Sequence, residues 1–194
     1  MAMHEDELIL LSKDGNLDAF NQLVEQYQQQ VYNIALRMLG NPQDAEDITQ
    51  DIFVQAWKAL RSFRGNNFRA WLFRIASNSC TDVIRSKRGK KTDSLDAVFP
   101  EYNPIPSSTE SPEDHALKKE VSELIARQLL YLSEDQRLMI TLADLQGLSY
   151  EEIAQITGTS LGTVKSRLNR GRSNLRDLLM KYQEHLPPEF RPKL

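Results

Sequence analysis

The chain has 194 residues, 40% hydrophobic and 26% charged, which is ordinary for a folded soluble protein and enough for one domain or two small ones. No uncharged apolar run approaches the roughly 18 residues of a membrane-spanning helix. The acidic start Met1-Ala2-Met3-His4-Glu5-Asp6-Glu7 lacks the apolar core of a secretory signal, and the single cysteine, Cys80, excludes an internal disulfide and a cysteine-built zinc site. A cytoplasmic protein that does not insert into membranes is expected.

The first half reads as helices throughout. Phe20, Leu23, Val24, Tyr27, Val31, Ile34, Ala35 and Met38 recur at helical spacing. Gly40 suits a left-handed helix end, and Asn41-Pro42 supplies an N-cap followed by proline in the first turn. The helix that follows should bury Ala45, Ile48, Ile52, Ala56 and Leu60, leaving Asp44, Asp47, Gln50, Asp51 and Lys58 outside. After a Gly65-Asn66-Asn67 loop, another helix is expected from about Phe68 to Arg85, with Leu72, Ile75, Ala76, Ser79 and Val83 inward.

Residues 92–115 break this pattern. They hold Pro100, Pro104, Pro106 and Pro112, a Ser107-Ser108-Thr109 run and little apolar periodicity, so they cannot bury enough surface to offset their ordering entropy. Helical periodicity then returns, with Leu117, Val121, Leu124, Ile125 and Leu129 as one stripe and Leu138, Met139, Leu142 and Leu145 as another. Ser149-Tyr150-Glu151-Glu152 is a capping box. The short helix it starts should end at Gly158, and Ser160 can cap a last helix from Leu161 to about Met180. The fold class is all-α: two small helical domains joined by a flexible acidic linker, over residues 1–91, 92–115 and 116–181, with a tail at 182–194.

The net charge of −3 hides an alternation. Acids dominate residues 1–60, bases dominate 61–91, residues 92–115 have no Lys or Arg, and residues 161–181 are basic again. Two basic blocks separated by acidic ones fit two phosphate-binding surfaces, or, more plainly, two solvated helix faces. The stretch from Leu148 to Gly171 tips the balance. Ala154, Gly158 and Val164 have the spacing of a helix-turn-helix: a small residue for close approach, a glycine for the turn, an apolar residue for packing. Its second helix presents Lys165, Ser166, Asn169, Arg170 and Arg172, side chains able to reach base edges and phosphates in a major groove. Between Phe53 and Phe73 lie six aromatic residues among basic ones. Such rings either fill a core or stack on unpaired bases; burial is expected for Trp57, Trp71 and Phe73, whereas Phe63, beside the Gly65 loop, is the better base-contact candidate. Asn78 carries an amide that could read a base edge. No constellation for catalysis is present: His4, His115 and His185 are far apart, Cys80 has no histidine near it in sequence, and no glycine-rich phosphate loop occurs. Neither an enzyme nor a cofactor is expected.

GNPQDAEDITQDIFVQAWKAL, then SFRG and FRAWLFRIASN, and finally LSYEEIAQITGTSLGTVKSRLNRGR together resemble the bacterial RNA polymerase sigma factors, specifically their compact extracytoplasmic-function (ECF) group. The resemblance covers about residues 8–91 (sigma domain 2) and 116–180 (sigma domain 4). It implies that Asp47, Gln50 and Asp51 meet the clamp helices of the polymerase beta-prime subunit, with the beta flap as a second polymerase contact. It also implies that Phe63, Asn78 and the loop Arg64-Gly65-Asn66-Asn67 line a pocket for an extruded base of the −10 element, and that Arg85, Lys87, Arg88, Lys90 and Lys91 lie along adjoining phosphates. Lys165, Ser166, Asn169, Arg170 and Arg172 would read the −35 element. The acidic linker corresponds to the segment that threads toward the polymerase active-site and RNA-exit channel. Core polymerase and promoter DNA are the implied partners, and an anti-sigma factor is a further partner known in the group. Alone, a chain of this charge should bind promoters weakly. The competing reading is a helix-turn-helix regulator with an N-terminal sensing domain.

Overall fold

In the computed structural model the described residues are 4–65, 67–89 and 112–182. They form eight α-helices: α1 (Glu5–Lys13), α2 (Leu17–Leu39), α3 (Pro42–Ala59), α4 (Phe68–Gly89), α5 (Pro112–Leu129), α6 (Glu134–Ile140), α7 (Tyr150–Thr157) and α8 (Leu161–Met180). A 3-10 turn follows α3 at Leu60–Ser62, and a π-helical turn continues α6 over Thr141–Leu145. No strand occurs among the described residues, as the all-α reading requires, and no helix among them is long and apolar enough to cross a membrane.

The boundaries follow local chemistry. Asn16 accepts a hydrogen bond from the Ala19 amide and starts α2, which closes on Gly40 at φ +72°. Asn41 does the same for α3 through the Asp44 amide, with Pro42 in the first turn. Ser133 caps α6, the Ser149–Glu152 box caps α7, and Ser160 caps α8. Gly158, between the last two helices, takes φ +65°, which lets the chain turn without the steric cost a side chain would bring.

The first four helices enclose Leu8, Leu23, Val31, Ile34, Met38, Ile52, Phe68, Leu72 and Phe73, all essentially inaccessible. α1 was not anticipated as a helix; its Leu8 and Ile9 close the end of this core. The last four enclose Leu129, Met139, Leu142, Ile153, Val164 and Leu168. Leu145, expected on the inner stripe with Leu142, is instead exposed. The π turn is the reason: one extra residue per turn rotates the following side chains off the buried face.

The two halves are docked, and their buried residues join in one continuous core. Gly40 permits the closest approach. A Cβ there would lie 2.4 Å from Cδ1 of Leu130. Arg137, itself buried, reaches across to the Met38 carbonyl at the end of α2. α5 begins at Pro112, three residues before the end of the segment expected to be a linker. Residues 92–111 of that segment, and most of the tail, lie outside the described residues.

Candidate polymerase and nucleic-acid interfaces

Three surfaces carry the sequence candidates. The first is the outer face of α3. Burial of Ala45, Ile48, Ile52, Phe53 and Ala56 turns Asp47, Gln50 and Asp51 to solvent together with Glu46 and Lys58. Gln43 donates to Asp47, so this ridge is partly pre-ordered. Val54 lies on the same ridge and is 51% exposed. The sequence reading missed it, because an apolar residue in an amphipathic helix is assigned to the core by default. A ridge of carboxylates around one exposed aliphatic side chain suits a basic, helical partner surface.

The second surface is the loop before α4 and the helix it starts. Phe63 is buried, at 5% exposure, and packs against Trp71 and Phe68 with ring centroids 5.1 Å and 6.0 Å away. The ammonium of Lys13 sits 5.1 Å from its ring centroid. Phe63, expected as the base-contact candidate, is therefore the more deeply buried ring, whereas Trp71 and Trp57, expected to be buried with Phe73, are only half-buried. Phe63 is nonetheless at the wall of a cavity of about 280 Å³, with Arg64, Gly65, Asn67, Trp71 and Arg74. Arg64 is exposed and bonds back to the Arg61 carbonyl at 2.9 Å. Asn67 accepts from the Ala70 amide at 2.8 Å and so acts as the N-terminal cap of α4. Asn66 and the side chain of Arg88, together with Lys90 and Lys91, lie outside the described residues.

Asn78 does not share this cavity. It is exposed further along α4, where it lines a second cavity of similar volume with Ser77, Thr81, Asp82 and Arg85. Ten residues of helix separate Phe68 from Asn78, about 15 Å of rise. Lys87, beyond them, is paired with Asp44 of α3. Such an exposed pair is worth little and opens readily for a stronger anion.

The third surface is α8. Val164, Leu168 and Gly171 are buried, which turns Lys165, Ser166, Asn169 and Arg170 to solvent on one face. Arg170 folds back on Ser166, with Nε 3.3 Å from its carbonyl oxygen. Arg172 points elsewhere. Its guanidinium donates from two nitrogens to the Asp144 carboxylate and from a third to the Tyr150 hydroxyl. Those bonds raise its pKa further above an already high value, mainly through Asp144. Arg172 therefore ties α8 to the π turn and to α7. It is apart from the four outward side chains. Cys80 is fully buried and burial pushes its thiol up to about 12, which removes it as a nucleophile. No group of three or more His, Cys, Asp or Glu side chains arranged to hold a metal occurs among the described residues.

Comparison with known proteins gives these surfaces a frame. Residues 23–90 match the family profile described as Sigma-70 region 2, and residues 122–175 the one described as Sigma-70, region 4. The chain is 37% identical over 172 residues to the ECF RNA polymerase sigma factor SigW of Bacillus subtilis, covering 86% of this chain and 92% of that protein. It is 35% identical over 166 residues to the ECF RNA polymerase sigma factor SigE of Mycolicibacterium smegmatis; that match covers 86% of this chain but spans only 63% of the mycobacterial protein. Among solved structures it is similar to the sigma factor RpoE of Bartonella quintana, crystallised with the anti-sigma factor NepR, at 34% identity and a TM-score of 0.63, covering 84% of this chain and 98% of that one. A two-domain helical chain with a region 2 module before its helix-turn-helix belongs to the sigma-70 family, the specificity subunits of bacterial RNA polymerase. Within that family it belongs to the ECF group, and as such it binds core polymerase and directs promoter-specific initiation. The region 2 match occupies the place a sensing domain would need, so the regulator reading falls.

Proposed function

We propose that the three surfaces divide the work of initiation. The α3 ridge of Asp47, Gln50 and Asp51 docks on the clamp helices of the polymerase beta-prime subunit, its charges steering association and Val54 adding apolar contact. The cavity walled by Phe63, Arg64 and Asn67 takes a base extruded from the −10 element, Asn66 belonging to the same loop. Asn78, Arg85, Lys87 and Arg88 continue the strand path along α4. Lys165, Ser166, Asn169 and Arg170 read the −35 element in the major groove, and Arg172 orients their helix.

The observation that carries this division is the one-sidedness of α3 and α8. In each, one face is in the core, and the candidate polar side chains all emerge on the other. The chain supplies specificity while the polymerase supplies catalysis, which fits a sole cysteine buried and unreactive. Its setting is the bacterial cytoplasm. Region 2 spans residues 1–91 and region 4 residues 116–181, with a connecting linker at 92–115 and a tail after 181. An anti-sigma factor is a further partner, and the exposed acidic ridge is one surface it would cover.

The test is reconstituted transcription with core polymerase on a genomic template library. Wild-type chain gives defined start sites, Asp51→Arg loses assembly with core while remaining folded, and Arg170→Ala keeps assembly but weakens −35-dependent starts by about 1–3 kcal/mol. Start sites unchanged by Arg170→Ala, or full assembly by Asp51→Arg, would remove that residue from its assigned surface.

A further inference from the structure

The first 36 residues carry one Lys or Arg, Lys13, against six carboxylates: Glu5, Asp6, Glu7, Asp14, Asp18 and Glu25. Lys13 ends α1, and no carboxylate among the described residues pairs with it. Its ammonium stands instead over the ring of Phe63, 5.1 Å from the centroid. That ring walls the cavity assigned above to the extruded base. The region 2 profile match begins at residue 23, so α1 and Lys13 lie outside it.

The fold fixes this placement. Leu8 and Ile9 bury one side of α1, and the Tyr27 hydroxyl of α2 donates to Glu5 near its N-terminal end. At the other end the Asp14 amide donates to the Leu10 and Leu11 carbonyls, which stops the helix at Lys13. The chain then turns through Gly15, where a Cβ would lie 3.9 Å from Nη2 of Arg61. Arg61 and Arg64 are both exposed, and the Arg64 guanidinium donates to the Arg61 carbonyl at 2.9 Å. Three cations therefore gather near one aromatic ring, from the end of α1, the 3-10 turn and the loop before α4.

Such a gathering costs repulsion unless an anion shares it. Cations beside an aromatic ring are also how proteins hold unpaired nucleic acid: the ring stacks on a base and the cations track the phosphates. A lysine in the last turn of a helix suits the helix dipole as well, but that role does not require the ammonium to stand over a ring.

We infer that Lys13, with Arg61 and Arg64, forms a phosphate site on the α1 side of the pocket, where Lys13 holds the backbone of the opened strand at the extruded base. The inference rests on the −10 assignment above and adds α1 to the elements that hold the strand. A cation–π contact at a partly exposed site is weak. A base can take the ring face while the ammonium, on its flexible stem, moves aside to the phosphate.

The experiment uses holoenzyme assembled from core polymerase and the full chain. The probe is a fluorescent promoter duplex, taken from the strongest start site of the template library and left unpaired from the −10 element downstream. Affinity is measured over a series of salt concentrations. Lys13→Gln removes the charge, Lys13→Met does so while keeping a stem on the Phe63 ring in case the first variant folds poorly, and Lys13→Arg retains the charge. Each phosphate contact on a single strand contributes about 0.7 to the slope of log affinity against log salt. The glutamine and methionine variants should bind about three- to tenfold more weakly at low salt, with a slope smaller by about 0.7. Lys13→Arg should restore most of both, and affinity for core should stay at the wild-type level. Arg64→Gln, in the loop already assigned to the strand, is the reference. A slope lowered in Arg64→Gln but unchanged in both uncharged Lys13 variants overturns the inference and leaves the −10 assignment standing, even if those variants bind more weakly. A slope unchanged in all of them means that this loop does not hold the strand, and both fall.

Discussion

Arg137 offers the sharpest test of how region 4 holds together. Its side chain is buried, yet it carries a full charge and donates four hydrogen bonds to main-chain carbonyls: Nε to Leu129 at 3.1 Å, Nη1 to Met38, and Nη2 to Leu130 at 2.6 Å and Leu132 at 3.2 Å. These carbonyls belong to the ends of α2 and α5, where helices lack their own donors. Truncation in Arg137→Ala leaves them facing a space the guanidinium filled. Charge-assisted bonds contribute about 1.5–3 kcal/mol each and are not additive, and buried carbonyls left without a donor cost about 1–3 kcal/mol, so the loss should be about 3 kcal/mol. That is a large part of the 5–15 kcal/mol typical of a domain. Urea unfolding of the full chain, followed by far-ultraviolet circular dichroism, should show this loss as a lower midpoint. Arg137→Lys, which keeps the charge but lacks the planar fork, should recover only part of it. A midpoint for Arg137→Ala within about 0.5 kcal/mol of wild type would mean that water satisfies these carbonyls and that Arg137 organises nothing.

Gly158→Ala should cost about 1–2 kcal/mol from the left-handed backbone alone, since no atom stands within 4 Å of the new methyl; a neutral result in thermal unfolding would refute the strain argument. Ser149→Ala should cost about 1 kcal/mol by opening the α7 capping box. Glu152 has a folded pKa below its ordinary 4.5, so its share of that stabilisation is complete above pH 4.5 and fades as acid titrates it below that value. The gap between wild type and Ser149→Ala should accordingly narrow in acid unfolding titrations, and a constant gap would count against the pairing. In a double-mutant cycle, Arg172→Ala and Asp144→Ala should couple by about 0.5–1 kcal/mol, the value expected of an exposed bidentate pair. Zero coupling would return Arg172 to the list of free DNA contacts.

Much of this architecture is legible in the sequence because it depends on near neighbours. The Asn41-Pro42 start of α3, the Gly40 and Gly158 helix ends and the Ser149–Glu152 box each involve residues within four positions, and all form. The outward faces of α3 and α8 follow from periodicity in the same way. Readings failed where a distant partner decides the outcome. Phe63 borders an exposed loop in sequence but is buried by Phe68 and Trp71 once the loop folds over. Arg172 looks like any basic residue on a recognition helix until Asp144, 28 positions earlier, claims it. Leu145 obeys helical spacing only if the helix is regular, and the π turn makes it irregular. Nothing local announces that Leu130 will press on Gly40, or that Arg137 will reach Met38.

The docked arrangement also changes how the charge pattern bears on DNA binding. Net charge of −3 gave a reason to expect weak binding by the free chain, through repulsion between DNA and the acidic stretches. Screening weakens that argument. At physiological salt the Debye length is about 8 Å, so exposed carboxylates on the far face of α3 hardly affect a phosphate on α4, across the width of a helix roughly 10 Å in diameter. A carboxylate beside α4 is different: Glu152, whose carboxyl is held below the usual glutamate range by its Ser149 bonds and then by Asn67 and Arg69, is well inside the screening distance of that helix. A close contact of this kind is thus a second ground, beside diffuse charge, for the weak binding expected of the isolated chain. The two explanations separate on addition of salt. Diffuse repulsion fades with ionic strength and would let the free chain bind DNA better, whereas a contact that must open leaves only the ordinary loss of phosphate affinity with salt.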